Sequence, residues 1–211
     1  EEACALINRT LSDEGGNNSG NSGNAGYSSE TKVNVFETTI RALGGFLGAH
    51  ALTHLPSLLE YAVDLGDRLL PAFTYTHLPR SDVNLVTRES ADPAWGTSSL
   101  AETALTLEFK HLSAVSGDTR FADAVEDVDA HLRRAAARHD HLLPVFARAS
   151  DASFTGPVTL GARGDSYYEY LLKEYVRSRD ARYRDAFVAA AERIAAELVH
   201  ELGDNSSAFI G

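Results

Sequence analysis

Apolar residues recur at helical spacing in six segments of the chain. In the first segment, Phe36, Ile40, Leu43 and Leu47 lie three or four residues apart, which is the period of an amphipathic α-helix. The same pattern predicts helices at about 35–54, 57–70, 100–115, 119–138, 166–178 and 181–202. Residues 1–11 resemble the end of a further helix, and no segment gives a convincing β-strand. The pattern therefore predicts an all-α chain.

The six predicted helices form three hairpins that repeat along the sequence. The first helix of each hairpin begins with a polar N-cap residue that is followed three positions later by glutamate. These glutamates are Glu37, Glu102 and Glu169, at spacings of 65 and 67 residues, and the second helices repeat at 62 residues. Hairpins stacked in register form a solenoid or an α/α toroid, and the inner helices of a toroid begin at one mouth.

Two long segments, 72–98 and 139–163, separate the hairpins, and loops of this length in a compact domain are usually functional or disordered. Each leads into a predicted inner helix, so both are expected at the mouth. This placement favours a closed toroid with a pocket over an open solenoid. Residues 13–30 are mostly Gly, Asn and Ser, which predicts a flexible loop within the single domain expected for residues 1–211.

Charge and composition exclude several classes of partner. A net charge of -11 with scattered basic residues argues against nucleic acid. No apolar run approaches the ~20 residues of a membrane span, and the first residues lack the basic region of a signal peptide. The chain contains no methionine, so we expect a piece of a longer protein, and an upstream membrane anchor stays open. Glycosylation sequons at Asn8, Asn17 and Asn205 favour a protein of the secretory pathway. The single cysteine, Cys4, is interpreted as a buried, inert thiol.

Each repeated glutamate has two interpretations. Glutamate three residues after an N-cap closes a capping box, which satisfies backbone donors, and an acid in the first turn suits the helix dipole. Alternatively, the glutamates form a ring of carboxylates at the mouth. On the first helix, Glu37 is followed by Arg41 and then by Gly44, Gly45 and Gly48. Glycine costs ~1 kcal/mol in a helix interior, so these glycines indicate a close neighbour or a ligand.

The start of the third inner helix also combines charges. Asp165 and Glu169 lie four residues apart, where like charges disfavour a helix, and Arg163 lies just upstream. We interpret these residues as a polar site, with a capping role for Asp165 as the alternative. The histidines lack zinc-ligand spacing, and no nucleophile elbow or phosphate-binding loop occurs. Carboxylates and arginines around a cavity are the groups that glycoside hydrolysis uses.

Four stretches of the chain resemble glycoside hydrolase family 47, the class I α-1,2-mannosidases that trim N-glycans. They are residues 33–45 (VNVFETTIRALGG), 64–73 (DLGDRLLPAF), 100–102 with 107–109 (LAE and LEF) and 159–173 (TLGARGDSYYEYLLK). The first and last stretches are long and specific, and the match extends in order over nearly all of residues 31–180.

The resemblance implies an (α/α)₇ barrel, an inverting mechanism and a calcium ion that binds sugar hydroxyls. It implies that Glu37 is the general acid, directly or through a water molecule, and that Asp165 helps to activate the attacking water. Four further residues are implied to contact the sugar or to support the residues that do: Arg41, Glu102, Arg163 and Glu169. The implied substrate is a high-mannose N-glycan in the lumen of the endoplasmic reticulum or the Golgi.

The chain departs from the family pattern in its extent. It contains about three of seven hairpins, and the family's calcium-ligating threonine and a further catalytic glutamate belong to the C-terminal half of the barrel. We therefore assign no metal ligand here and expect the chain alone to be inactive. Two alternatives stay open. One is a glycan-binding degradation factor with the same fold and little hydrolase activity; the other is a helical scaffold whose carboxylates serve only as caps.

Overall fold

The structure is a computed structural model that describes residues 32–74, 77–201 and 208–210. The predictions for residues 1–11 and 13–30, for Cys4 and for the three sequons lie outside these residues. Helices account for most of the described chain. They are α1, which runs through Val35–Glu37, Thr38–Leu43 and Gly44–Thr53; α2, Pro56–Leu69; α3, Leu100–Thr103; α4, Thr106–Ser116; α5, Arg120–Arg138; α6, Asp165–Ser178; and α7, Ala181–Glu197.

The helices pack as three successive hairpins. Helix α2 packs on α1, α5 on α4, and α7 on α6, while α4 lies between α1 and α6 and contacts both. Gly66 on α2 allows one of these contacts to be close. A Cβ atom placed there would lie 2.4 Å from Leu112 Cδ2 on α4 and 3.1 Å from Phe121 on α5. The two larger apolar clusters occupy the spaces between neighbouring hairpins.

Helix α1 is not the regular helix that the sequence predicts. Its middle segment, Thr38–Leu43, is π-helical, and the N–H of Gly44 donates to the carbonyl of Thr39, five residues earlier. A π-segment widens one turn of a helix and is frequent at functional sites. The buried residues of α1 recur at every fourth position, at Val35, Thr39, Leu43 and Leu47, a spacing that an ordinary α-helix also shows, so periodicity does not reveal the π-segment.

The predicted helix 100–115 is broken after its first turn. Ala104 and Leu105 leave the helical backbone region and separate the short helix α3 from α4. Both residues are buried, with exposed fractions of 2% and 1%. Neither residue is glycine or proline, so no local sequence signal predicts the break. At the break, both side chains are buried in the core.

The expectation of no β-strand is wrong. Two antiparallel sheets lie beside the starts of the inner helices. One contains β1 (Lys32–Asn34), β2 (Asp82–Asn84) and β3 (Ser90–Ala91); the other contains β4 (Thr97–Ser99), β5 (Phe146–Arg148) and β6 (Phe154–Thr155). Strands of two or three residues are too short to show apolar alternation. Strands β1 and β4 run directly into α1 and α3, so the sheets position the beginnings of these helices.

The last predicted helix, 181–202, ends earlier than expected. Helix α7 stops at Glu197, and Val199–Glu201 forms strand β7, which pairs antiparallel with β8, Ala208–Ile210. No glycine or proline lies between Ala181 and Gly203, so the sequence lacks a signal that would end the helix at Glu197. Pairing with a strand later in the chain ends the helix instead.

Candidate active site

The starts of α1, α3 and α6 surround a cavity of about 690 Å³, together with the loops before α3 and α6. Five of the six residues singled out by sequence line it: Glu37, Arg41, Glu102, Arg163 and Asp165. The cavity brings together charged groups from three hairpins that are far apart in the sequence. Among the described residues, Glu169 is not part of this lining; its carboxylate pairs with Lys173 on the same helix, at 2.5 Å.

Asn34 provides the side-chain cap at the start of helix α1. Its side-chain oxygen accepts the backbone N–H of Glu37 at 2.9 Å. The Glu37 carboxylate accepts a hydrogen bond from Arg41 Nε. This ion pair is accessible to water, and the hydrogen bond and charge of Glu37 raise the pKa of Arg41. Arg41 belongs to the π-segment, so the widened turn presents the pair to the cavity.

Glu102 closes a complete capping box at the start of α3. Its Oε2 accepts the N–H of Ser99 at 2.6 Å, and Ser99 Oγ accepts the N–H of Glu102 at 3.3 Å. Both residues also line the cavity. One Glu102 oxygen thus has a structural partner, and the carboxylate keeps its place on the cavity wall.

Helix α6 begins two residues earlier than the capping pattern, with Ser166 as N-cap, predicts. Asp165 is its first residue, Gly164 occupies the N-cap position, and Ser166 lies within the first turn. The predicted capping pair of Ser166 and Glu169 is therefore wrong. Asp165 Oδ1 accepts the backbone N–H of Ser166 at 2.9 Å, which orients this carboxylate at the helix start.

The loop before α6 has little conformational freedom. Arg163 has φ = 79°, in the left-handed region, and its carbonyl accepts the N–H of Ala101 on α3 at 2.8 Å. A Cβ atom at Gly164 would lie 2.2 Å from the carbonyl oxygen of Thr159, so only glycine fits there. Strained backbone persists where surrounding contacts determine it, often at functional sites. Here the contacts join the starts of α3 and α6 and set the positions of Arg163 and Asp165.

The glycines of α1 have no close neighbour of the kind that the sequence suggests. A Cβ atom at Gly45 or Gly48 would meet nothing within 4 Å in the described part of the chain, and one at Gly44 would make only ordinary contacts, the nearest at 3.5 Å. A close neighbour as the reason for these glycines is therefore wrong for the described residues, and a ligand as the reason stays a prediction.

Several residues of the cavity wall were not predicted from the sequence. Asp82, Pro93, Trp95 and Phe146 all lie on the long segments that precede the inner helices. The sequence did predict that these two segments lie at the mouth, and this prediction indicates the part of the chain in which the four residues occur. Their spacing follows no helical or strand pattern, so individual side chains could not be selected.

The described residues provide no calcium site. No group of three or more His, Cys, Asp or Glu side chains in 32–74, 77–201 and 208–210 is arranged to hold a metal ion. Calcium takes six to eight oxygen ligands, so the carboxylates of the cavity do not fit this ion by themselves.

Within the described ranges 32–74, 77–201 and 208–210, no helix is long and apolar enough to cross a membrane.

Comparison with known proteins decides the family. The sequence profile of glycosyl hydrolase family 47 matches residues 17–211. The chain belongs to glycosyl hydrolase family 47. The resemblance inferred from four stretches of the sequence is thereby confirmed.

Curated relatives of this family 47 chain are longer proteins. It is 40% identical over 195 residues to the endoplasmic reticulum mannosyl-oligosaccharide 1,2-alpha-mannosidase of Rattus norvegicus. It is 37% identical over 202 residues to the protein of the same name from Saccharomyces cerevisiae. These matches cover 89% and 86% of this chain but 30% and 36% of the two relatives. The chain thus spans a minor part of the length of the relatives it matches.

A solved structure supports the fold. An alpha-1,2-mannosidase from Trichoderma reesei superimposes with a TM-score of 0.80 at 24% identity, over 99% of this chain and 46% of that chain. At this identity the likeness shows the fold alone. The prediction of a partial (α/α)₇ barrel is confirmed, since the three hairpins correspond to part of that barrel.

Proposed function

We propose that a complete protein carrying this chain is an inverting α-1,2-mannosidase that removes terminal mannose from high-mannose N-glycans. The observation that carries the proposal is the placement of Glu37 and Asp165, from two hairpins, on the wall of one cavity. Glycoside hydrolysis by inversion uses two carboxyl groups that flank the bond and leave room for a water molecule. The printed names of the relatives supply the substrate class.

In the proposed reaction, Glu37 is the acid and Asp165 helps to provide the base. Water attacks the anomeric carbon while its proton passes to Asp165. The bond from that carbon to the leaving oxygen breaks, and a proton from Glu37, directly or through a second water, passes to the leaving oxygen. Attack from the face opposite the leaving group inverts the configuration. Arg41 holds the Glu37 carboxylate in place for this transfer.

Three other residues of the cavity are proposed to hold the sugar. Arg41 and Arg163 carry several N–H donors in fixed directions, which suits the hydroxyl groups of a pyranose. Glu102 offers a carboxylate oxygen as an acceptor while the capping box holds it in position. Glu169 acts differently in this proposal. Paired with Lys173 away from the cavity wall, it supports α6 and does not contact the sugar.

The complete protein is proposed to work in the lumen of the secretory pathway, in the endoplasmic reticulum or the Golgi. The named relatives from rat and yeast support the first of these compartments. Calcium is proposed to be held by groups outside the described residues, and no step here depends on it. When bound, the ion would supply coordination of sugar hydroxyls.

The test is mannose release by the complete protein with and without Glu37→Gln. We expect the variant to lose at least ~100-fold in kcat and to keep its oligomannose affinity, because Gln preserves shape but carries no transferable proton. Asn34 already caps α1, so loss of stability should be small. Glu60→Gln, at an exposed position on α2, is the matched control and should be fully active.

Two outcomes would overturn the proposal. A Glu37→Gln variant that is active but less stable to heat would show that Glu37 is only a cap. Wild-type protein that binds oligomannose but releases no mannose would favour the glycan-binding degradation factor.

A further inference from the structure

Trp95 is the single tryptophan of the chain, and its side chain is left in solvent. Its exposed fraction is 92%, the highest of any large apolar residue in the described part of the chain. Tryptophan is a large apolar side chain that is highly buried on average in folded proteins, so full exposure needs a reason. Trp95 is also on the wall of the cavity that contains Glu37 and Asp165.

The backbone around Trp95 is well anchored. The N–H of Gly96 donates to the carbonyl of Pro93 at 2.8 Å and closes a tight turn. The carbonyl of Gly96 accepts the N–H of Ala149 at 2.9 Å, and Thr97 begins strand β4, paired with Arg148. The turn therefore holds an exposed indole on a rigid base, which lowers the entropy lost when a ligand covers the ring.

The wall of the cavity contains both charged groups and apolar aromatic groups. Carboxylates and guanidinium groups at the helix starts can bind the hydroxyls of a sugar. A pyranose also has a face of C–H groups with slight positive charge, which is complementary to the negative face of an aromatic ring. Among the residues of the wall, Trp95 presents the largest aromatic surface to solvent, and so provides a platform for that face.

We propose that Trp95 stacks against the mannose residue on the leaving-group side of the cleaved bond. The cleaved mannose lies between Glu37 and Asp165 in the proposed mechanism, so the solvent-facing ring meets the next residue of the glycan. Trp95 thereby selects oligosaccharides over a single mannose. This inference rests on the proposed mannosidase function.

The first measurement is kinetic and uses the complete protein. With mannose-α-1,2-mannose or a high-mannose oligosaccharide as substrate, Trp95→Ala should raise KM by about five- to tenfold and change kcat by less than about twofold. Trp95→Phe should restore KM to within about threefold, because a smaller ring still offers a stacking face. Leu52→Ala is the matched control, since Leu52 is 86% exposed on α1 outside this cavity.

A second ligand separates stacking from a structural effect. An iminosugar analogue of one mannose occupies only the position of the cleaved sugar. Its inhibition constant should be the same, within about twofold, for wild type and Trp95→Ala. An unchanged KM in Trp95→Ala would overturn the proposal. So would an equal rise in KM and in the inhibition constant of the iminosugar.

The outcome can be distinguished from failure of the mannosidase proposal by measuring binding. The oligomannose affinity of Glu37→Gln is compared with that of the double variant Glu37→Gln/Trp95→Ala. This binding measurement does not require the protein to hydrolyse the ligand. A five- to tenfold loss in the double variant supports stacking even if wild type releases no mannose. Equal affinities reject it even if wild type is fully active.

Discussion

Glu108, on the inner helix α4, has a carboxyl group largely removed from water. Its Oε1 accepts a hydrogen bond from Tyr170 Oη at 2.8 Å, and its buried Oε2 lacks a hydrogen-bond partner among the described residues. Desolvation raises the pKa of Glu108, while the Tyr170 hydrogen bond and the charge of Lys173 oppose the rise. An ionised carboxylate is costly in such a place, so folding shifts the equilibrium towards the protonated form relative to the unfolded chain.

This environment makes the stability of the fold depend on pH. The pKa of Glu108 is higher in the folded than in the unfolded chain, so its contribution to stability falls as pH rises from the ordinary value of 4.5 through the folded pKa. We expect Glu108→Gln to raise Tm at pH 7 by about 2–4 °C and to leave it unchanged at low pH, below ordinary Glu ionisation. Thermal denaturation followed by circular dichroism across this range checks the prediction.

Glu192→Gln serves as the control, because Glu192 lies at an exposed position on α7. Its Tm difference from wild type should be small and constant with pH. A Glu108→Gln variant that is less stable at pH 7 would show that the ionised carboxylate makes a net favourable interaction, such as with Lys173.

At the scale of elements, the loop that precedes α6 determines where two site residues lie. Gly164 occupies the N-cap position, where the nearby Thr159 carbonyl leaves no room for a Cβ atom. The carbonyl of Arg163 accepts a hydrogen bond from the backbone of α3. The start of α6 is thus determined by contacts across the cavity mouth and not by a capping side chain. The sheet that joins β4 to β5 holds the other side of the same mouth.

Gly164→Ala is therefore expected to disturb the site as well as the fold. The added Cβ would lie 2.2 Å from a backbone oxygen, so the loop must move. We expect a loss of about 1–3 kcal/mol in the free energy of unfolding and a large fall in kcat in the complete protein, since Arg163 and Asp165 move with the loop. Urea denaturation and mannose release measure the two effects.

The matched control is Gly45→Ala on α1. An added Cβ meets nothing within 4 Å there among the described residues, and alanine is the better helix former, so stability should rise by up to ~1 kcal/mol. Unchanged stability and activity in Gly164→Ala would show that the loop has other low-energy conformations, and that Gly164 does not determine the start of α6.

On the scale of the whole molecule, a groove of about 500 Å³ runs between the inner helices α1, α4 and α6. It is lined mainly by apolar side chains, among them Leu47, Leu107, Leu172 and Val176. Leu172 and Val176 are 41% and 56% exposed. Apolar surface left in water forgoes ~25 cal/mol per Å² of burial, and large exposed apolar patches favour association.

We expect the 211-residue chain alone to release no mannose from high-mannose glycans and to bind no calcium at micromolar concentration. No metal cluster occurs in the described part of the chain, and calcium is proposed to be held by groups outside it. We also expect self-association through the groove. Calorimetric titration with calcium, mannose release and sedimentation velocity test these three expectations.

Two substitutions make the association test specific. Leu172→Glu with Val176→Lys should reduce self-association without loss of helicity, because both side chains are partly exposed. Val188→Lys, on a 46% exposed residue of α7, should leave association unchanged. Steady turnover or micromolar calcium affinity by the chain alone would contradict the interpretation that its site is incomplete.

Much of the architecture follows from local pattern. The apolar spacing in each helix and the hairpin repeat near 62 residues predict the class and the order of elements. They do so because helix formation and the burial of one face depend on residues three and four apart. The same pattern, with Glu37, Arg41 and Asp165 in their sequence context, indicated the family and five of the residues that line the cavity.

Tertiary structure decided what local pattern cannot encode. It placed Asp165 on the cavity wall and Glu169 beside Lys173, because packing of Gly164 against Thr159 sets the helix start. It ended α3 at a break without glycine or proline, and built short strands from contacts between distant segments. It also left Trp95 exposed at the cavity. The pairing of β4 with β5 and the hydrogen bond from Ala101 to Arg163 join segments far apart in sequence, so spacing along the chain carries no signal of them.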